Sequence, residues 1–208
     1  MNLKQELDRQ KIIAILRGLT LAEAVDVGEV LLAHDITVME VTLNSPDACQ
    51  SIARMTTALQ GRAVVGAGTV TEKQQVQQVV DHGASFCISP NTNPDVIEAC
   101  LQHQIIPMPG CLTPTEAFQA VAYGAKHLKL FPATSVEINT IKAWKSVLPK
   151  HIKVYAVGGV DETNAGLYLS KKADGLGIGS SLYSSGVDLQ ELDQRAKSIR
   201  QSIAEYTV

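Results

Sequence analysis

The stretch His127-Leu128-Lys129-Leu130-Phe131-Pro132 reads as a short strand that places a lysine among apolar residues. Alternate side chains of a strand point to opposite faces, so Leu128 and Leu130 share one face and Lys129 lies on the other. Burying an ammonium group without a partner is costly. Lys129 therefore reaches solvent, or pairs with a carboxylate, or has a lowered pKa that leaves a neutral amine able to attack a carbonyl.

The composition is that of a globular protein and excludes several kinds of partner. The chain has 208 residues, of which 45% are hydrophobic and 19% charged, enough for one domain with a sizeable core. A net charge of −3 favours neither nucleic acid nor an acidic membrane surface as a partner. No apolar run approaches the roughly 20 residues that cross a bilayer. The polar segment Met1–Glu6 lacks a signal-peptide pattern, so we expect a cytoplasmic protein.

Short apolar runs alternate with longer amphipathic ones along the whole chain. The predicted strands are Ile12–Arg17, Val38–Leu43, Ala63–Val70, Ser85–Pro90, Ile105–Pro109, His127–Pro132, Lys153–Val160 and Gly175–Ser180. The predicted helices are Asn2–Gln10, Leu21–Ala33, Pro46–Leu59, Glu72–Asp81, Pro94–His103, Pro114–Ala122, Glu137–Val147, Glu162–Ser170 and Leu189–Tyr206. Three of these helices, at Pro46, Pro94 and Pro114, start with a capping residue before a proline. This α/β pattern predicts a single-domain (β/α)8 TIM barrel over residues 1–208 with a short N-terminal helix. The alternative is a doubly wound open sheet.

Polar residues near the carboxyl ends of several predicted strands are candidates for one site. Inward residues at that end of a barrel line the active site. Arg17 ends the first strand, Glu40 lies in the second, and Thr69 shares a predicted inward face with Val65 and Ala67. Glu40 is either a salt-bridge partner of a nearby cation or an acid/base group in catalysis.

Glycine-rich turns follow the last two predicted strands. They are Val157-Gly158-Gly159-Val160, at the end of the seventh, and Gly175-Leu176-Gly177-Ile178-Gly179-Ser180-Ser181, at the eighth. Glycine lets backbone amides approach an anion closely, and barrels commonly bind phosphate behind these two strands. Either turn alone is compatible with a purely structural role. Together they predict a phosphorylated ligand.

Six motifs in order give the chain a strong resemblance to a known family. They are Ala14-Ile15-Leu16-Arg17-Gly18, Glu40-Val41-Thr42-Leu43, Gly66-Ala67-Gly68-Thr69-Val70, Ser89-Pro90, Lys129-Leu130-Phe131-Pro132 and Gly158-Gly159-Val160. The chain resembles the class I aldolases that cleave 2-keto-3-deoxy-6-phospho sugar acids. Asn44 and Val157 are similar to the phosphogalactonate branch of that family, whereas Glu-Val-Thr-Leu also occurs in the phosphogluconate branch.

The resemblance implies a Schiff-base lyase that releases pyruvate and D-glyceraldehyde 3-phosphate without a metal or organic cofactor. It implies that Lys129 forms the imine and Glu40 acts as general acid/base. It also implies a set of substrate-binding residues, namely Arg17, Thr69, Pro90, Phe131, Val157, Gly158, Gly159, Gly179 and Ser180. A homotrimer is expected on the same ground.

Other functions remain open at the level of sequence. A 2-dehydro-3-deoxy-6-phosphogluconate or 4-hydroxy-2-oxoglutarate aldolase would share every motif. A phosphosugar isomerase or epimerase would use paired acids or metal-binding histidines, yet the five histidines fall mainly in helices or loops. A non-catalytic phosphosugar sensor would keep the anion site without needing Arg17, Glu40 and Lys129 together.

Overall fold

The computed structural model describes residues 2–207, in which the strands form one parallel sheet. The strands are β1 (Ile12–Leu16), β2 (Val38–Thr42), β3 (Val64–Gly68), β4 (Phe86–Ile88), β5 (Ile106–Met108), β6 (Gly110–Cys111), β7 (His127–Leu130), β8 (Lys153–Val157) and β9 (Gly175–Ile178). Their order is β5-β4-β3-β2-β1-β9-β8-β7-β6, with parallel pairing throughout.

The sheet closes through a single residue, Pro109. β5 and β6 are consecutive segments on either side of it; β5 pairs with β4, and β6 pairs with β7. Pro109 has no amide hydrogen to donate, but its carbonyl oxygen accepts the Lys129 amide at 2.9 Å. The two segments thus act as the fifth strand of an eight-position ring, which confirms the predicted barrel over the open sheet.

Helices follow the strands and form the outer layer, except the first, which precedes β1. They are α1 (Leu3–Gln10), α2 (Ala24–Ala33), α3 (Ala48–Ala58), α4 (Lys73–Asp81), α5 (Pro94–Gln102), α6 (Pro114–Ala122), α7 (Thr140–Val147), α8 (Ala165–Ser170) and α9 (Leu189–Ser202), with 3₁₀ turns at Ala133–Ser135 and Ala204–Tyr206. Within residues 2–207, none of them is long and apolar enough to cross a bilayer.

The strands separate two apolar clusters. The outer cluster packs strand residues such as Met39, Leu128 and Leu130 against the helices. The inner cluster fills the barrel. It includes strand residues such as Phe86 and Tyr155, together with Leu3 and Leu7 from α1. Helix α1 therefore covers the amino-terminal end of the barrel, and the opposite end stays open.

The proline-started helices agree with the prediction in two cases and not in the third. The side chains of Asn93 and Thr113 cap α5 and α6, each followed by proline. At Ser45-Pro46 the predicted helix start is wrong, because α3 begins at Ala48 after a left-handed Asp47. The Ser45 hydroxyl instead accepts the Gly18 amide at 2.8 Å and contacts Thr42 Oγ1 at 3.0 Å.

The inward face assigned to the third strand is also wrong. Val65 and Ala67 belong to the outer cluster, whereas Val64 lies in the inner one. Strand β3 ends at Gly68, and Thr69 adopts a left-handed conformation with φ of 59°. Strand alternation cannot be extended across such a residue, so Thr69 does not continue the face of β3.

Candidate active site

A cavity of about 260 Å³ opens at the carboxyl ends of the strands. Nine of the predicted site residues line it together, namely Arg17, Glu40, Lys129, Phe131, Val157, Gly158, Gly159, Gly179 and Ser180. They come from β1, β2, β7, β8 and β9 or the loops directly after these strands. Such convergence at one end of the barrel matches the place where barrel enzymes build their active sites.

Lys129 lies in the middle of β7 with its side chain directed into the barrel. Its neighbours Leu128 and Leu130 belong to the outer cluster, as strand alternation predicts. The residue is only 7% exposed, and its Nζ atom lies 4.4 Å from the centre of the Phe131 ring. Burial lowers the pKa of the Lys129 amine; the charge of Glu40 opposes this, and the charge of Arg17 adds to it. The site therefore favours a neutral, nucleophilic amine more than water does.

Glu40 lies in the middle of β2 and is 1% exposed. It pairs in register with Ile15 on one side and Gly66 on the other, which places its side chain inside the barrel. Burial raises the pKa of the Glu40 carboxyl to about 7, although the positive charges of Lys129 and Arg17 lower it. A carboxyl group with a pKa near neutrality is suited to both accepting and donating a proton at physiological pH.

Lys129 and Glu40 face the same cavity without forming a direct salt bridge among residues 2–207. A buried pair locked together would hold the lysine in its charged form. Here the two groups influence each other's pKa while both stay accessible from the cavity. The arrangement can therefore support a nucleophilic amine and a separate proton carrier.

Arg17 follows β1 at the mouth of the cavity. The next residue, Gly18, has a φ of 80°, and its amide donates to Ser45 Oγ, which ties this loop to the end of β2. The Arg17 guanidinium is exposed toward the cavity and can bind a carboxylate through two parallel hydrogen bonds.

The far end of the cavity is built from the two glycine-rich loops. Gly158 and Gly159 have φ values of 96° and 72°, which favour glycine. A Cβ atom on Gly159 would also lie 2.5 Å from Thr134 Cγ2, so a side chain does not fit. Ser181 Oγ donates to the carbonyl of Val160 at 2.7 Å and links the loops after β8 and β9. Backbone at close approach, with few bulky side chains, is the form of an oxyanion or phosphate site.

Two predicted substrate-binding residues do not line the cavity. Thr69 follows β3 in a left-handed conformation and is not among the residues that line the cavity. Pro90 lies after β4, and its carbonyl packs against Gly110 of β6. Gly110 pairs in register with Lys129 of β7. Both are near the mouth in the fold, but direct substrate contact by either stays a prediction.

The cavity also includes residues that sequence reasoning missed, namely Ile15, Val160, Asp161 and Ser181. Ile15 could have been found from its register with Glu40 in a parallel barrel. The pKa of Asp161 is lowered, first by the hydrogen bond from the Thr163 hydroxyl, so this residue is ionised at the rim. No sequence signal distinguished it from other loop carboxylates.

Comparisons with known proteins agree with this geometry. The family model described as KDPG and KHG aldolase matches residues 3–197. The chain is 40% identical to 2-dehydro-3-deoxy-6-phosphogalactonate aldolase of Escherichia coli over 186 residues, which is 89% of this chain and 90% of that protein. It is also 40% identical over 185 residues to a Rhizobium meliloti protein named "Probable 2-dehydro-3-deoxy-6-phosphogalactonate aldolase", covering 89% of this chain and 87% of that one.

Solved structures show the same barrel. One described as "Native KDPGal structure" superposes with a TM-score of 0.91 at 36% identity, covering 94% of this chain and 95% of that chain. A cube-shaped protein cage, designed by fusing symmetric oligomeric domains, superposes with a TM-score of 0.92 at 36% identity over 94% of this chain and 73% of that chain. The family model over residues 3–197 and the 40% identity to these two relatives show that the chain belongs to the KDPG and KHG aldolase family.

Proposed function

We propose that this protein is a Schiff-base aldolase that cleaves 2-dehydro-3-deoxy-6-phosphogalactonate to pyruvate and D-glyceraldehyde 3-phosphate, a step in galactonate catabolism. The observation that carries the proposal is the buried pair of Lys129 and Glu40 in one cavity, with glycine-rich loops at its far end. The 40% identity to proteins with this activity in their names supports the same substrate class.

The reaction begins with attack of the neutral Lys129 amine on the C2 ketone. Loss of water from the resulting carbinolamine gives an iminium ion, which accepts electrons far better than a ketone. The ionised Glu40 carboxylate then takes the proton of the C4 hydroxyl, and the C3–C4 bond breaks. Its electron pair moves to the iminium to form an enamine, and the C4 carbon leaves as the aldehyde of glyceraldehyde 3-phosphate.

Glu40 now carries the proton that the second half of the reaction needs. It protonates C3 of the enamine and returns to its ionised form, leaving the iminium of pyruvate. Water adds to this iminium and releases pyruvate from Lys129. A pKa of about 7 serves both steps, because the group gives and takes the proton near neutral pH.

The remaining cavity residues supply binding. Arg17 holds the C1 carboxylate, since a guanidinium fork matches that group. The amides of Gly158, Gly159 and Gly179, with the Ser180 hydroxyl, hold the phosphate. Phe131 covers the lysine from the side and limits its access to water. Thr69 and Pro90 would contribute only through the loops that surround the mouth.

The choice of C4 epimer rests on Asn44 and Val157 together with the two phosphogalactonate relatives. Val157 lines the cavity, whereas Asn44 is exposed at the end of β2. The alternative substrate is 2-dehydro-3-deoxy-6-phosphogluconate, since that activity uses the same lysine chemistry. No step in the mechanism distinguishes the two epimers.

A coupled assay of pyruvate release with both C4 epimers tests the proposal. The galactonate epimer should show the higher kcat/KM. Equal rates, or a faster gluconate epimer, would refute the substrate assignment while leaving the Schiff-base chemistry intact. A Lys129→Ala variant should release no pyruvate from either epimer, and residual turnover above the uncatalysed rate would refute the lysine assignment.

We propose that the chain acts as one domain and assembles as a homotrimer. Leu101, Phe118 and Tyr123 on neighbouring helices expose 43%, 45% and 39% of their surface, an apolar face suited to self-association. The similarity to a cage built from symmetric oligomeric domains supports an oligomer. Light scattering on the purified protein should give the mass of three chains; the mass of one or two would refute the trimer.

The proposed location is the cytoplasm. The cysteines within residues 2–207 are all free, as is typical of a reducing compartment. A substrate with a phosphate and a carboxylate also does not cross a bilayer unaided. Fractionation of the native cells should find the activity in the cytoplasmic fraction, and activity in the periplasmic or membrane fraction would contradict it.

A further inference from the structure

The Glu40 carboxyl is buried without any hydrogen bond to hold it. Its Oε2 atom has no hydrogen-bond partner among residues 2–207, and no hydrogen bond contributes to the pKa of the carboxyl. Buried polar atoms in proteins are normally paired, so an unpaired carboxyl oxygen in a catalytic cavity calls for another source of order. Among residues 2–207, the contacts that the carboxyl makes are packing contacts.

The carboxyl packs against the bare backbone of Gly68. A Cβ atom added to Gly68 would lie 2.8 Å from Glu40 Cδ and 2.9 Å from each carboxyl oxygen. Favourable contacts between such atoms lie at about 3.5–4.0 Å, so the carboxyl occupies the space that a side chain at 68 would take. The three nearest atoms to that Cβ all belong to Glu40.

The backbone of Gly68 gives no other reason for glycine. Gly68 does not have a positive φ, unlike Gly158 and Gly159. Gly68 is the last residue of β3 and pairs in parallel register with Thr42 of β2. An alanine would therefore suit the strand, and the closest conflict is with the Glu40 carboxyl.

We propose that Gly68 is a positioning residue for the acid/base step, because the absence of its side chain creates the slot that fixes the Glu40 carboxyl against β3. The inference rests on the proposed function. A methyl group at 68 pushes the carboxyl away from its position while leaving Lys129 on β7 in place. Imine formation is then retained, and proton transfer at C3 is impaired.

The experiment separates these two steps in the Gly68→Ala variant. Borohydride trapping of pyruvate reports the imine. Exchange of the pyruvate methyl protons with D₂O, followed by NMR, reports enamine formation and reprotonation. We expect trapping equal to the parent and exchange slowed at least ~10²-fold, the usual contribution of an acid/base group. Exchange at the parent rate would overturn the inference.

Gly66→Ala is the matched control. Gly66 lies on the same strand and the same inward face, and its added Cβ would meet the Phe86 ring at 2.5 Å, a clash at least as severe. Phe86 packs in the inner cluster and does not line the cavity. Gly66→Ala should lower thermal stability while its folded form exchanges pyruvate protons close to the parent rate. An equal loss of exchange in both variants would show a general strand effect and refute the proposal.

Double variants test whether Gly68 acts through Glu40. If Gly68 acts only through Glu40, its replacement should have little effect once Glu40 is gone. Proton exchange in the double variant Gly68→Ala with Glu40→Gln should then be less than about 3-fold slower than in Glu40→Gln alone. Should Gly68→Ala alone fail to fold, Gly68→Ala with Glu40→Ala should restore folding, because the clashing group is gone. A double variant that stays unfolded would overturn the inference.

The proposed function and this inference fail in different ways. A parent protein that does not trap pyruvate would refute the aldolase and the inference together. A parent that traps pyruvate, with a Gly68→Ala variant that exchanges normally, would refute only the positioning role.

Discussion

Replacing Glu40 with glutamine should change how the stability of the protein depends on pH. The pKa of Glu40 is raised from 4.5 to about 7 in the folded protein, because burial disfavours its charged form. A raised pKa gives a contribution that is fully present below pH 4.5 and is lost as the pH rises through 7. At about 1.4 kcal/mol for each pH unit that separates the two values, the loss is about 3 kcal/mol. Glu40→Gln has no group to titrate there and should not show it.

The assay is urea denaturation of the parent and Glu40→Gln at pH 4.5 and pH 8, at one protein concentration. The quantity to compare is the difference in unfolding free energy between the two proteins at each pH. Titrating groups that do not interact with Glu40, such as His127, cancel in that difference. Moving from pH 4.5 to pH 8 should shift it by about 3 kcal/mol in favour of the glutamine variant. Glu98→Gln, at an exposed position on α5, is the control and should give little change.

A difference that does not vary with pH would refute the reasoning. It would mean that the Glu40 carboxyl titrates at similar pH in the folded and unfolded chain, and so is not the buried group described above. A shift of opposite sign would mean that its pKa is lowered, as in a direct ion pair with Lys129.

The titration of Glu40 and of His127 leads to two further predictions. The pH profile of kcat/KM for cleavage should have an ascending limb near pH 7, where Glu40 loses its proton, and Glu40→Gln should lack that limb; an identical limb in both proteins would remove Glu40 from the mechanism. His127 has a pKa lowered to about 4, mainly by burial, so this group by itself should cost the parent about 3 kcal/mol of stability as the pH falls from 6.5 to 4, against the gain from protonation of Glu40. Over that range the unfolding free energy of His127→Gln should rise by about 3 kcal/mol relative to the parent, and an unchanged difference between the two proteins would contradict the assignment.

The catalytic lysine and glutamate could be predicted from sequence because strand alternation is a local property. Leu128 and Leu130 flank Lys129, and Met39 and Val41 flank Glu40; in each case the apolar pair faces the helices. Apolar neighbours on the helix-facing side place the polar residue inside. The alternation of strands and helices likewise predicted the barrel, although only the pairing on either side of Pro109 shows that it closes.

The errors arise where side chains from other strands decide the outcome. The inward positions of β3 are Val64, Gly66 and Gly68. The two glycines carry no side chain because Phe86 and Glu40 fill the space beside them. The prediction that Val65 and Ala67 face inward extended the alternation back from Thr69, and it is wrong because the left-handed Thr69 does not continue the strand. Ser45, which precedes Pro46, similarly matched the pattern of a helix N-cap. Its hydroxyl instead accepts the amide of Gly18, 27 residues earlier in the chain.

The central claim is that a neutral Lys129 inside the barrel forms an imine with pyruvate. Borohydride reduction in the presence of pyruvate, followed by peptide mass spectrometry, tests it directly, with Lys126→Arg as control at an exposed position three residues earlier. We expect one reduced pyruvyl adduct on Lys129 in the parent and the control, and none in Lys129→Arg. An adduct on another lysine, or one that persists in Lys129→Arg, would contradict the account.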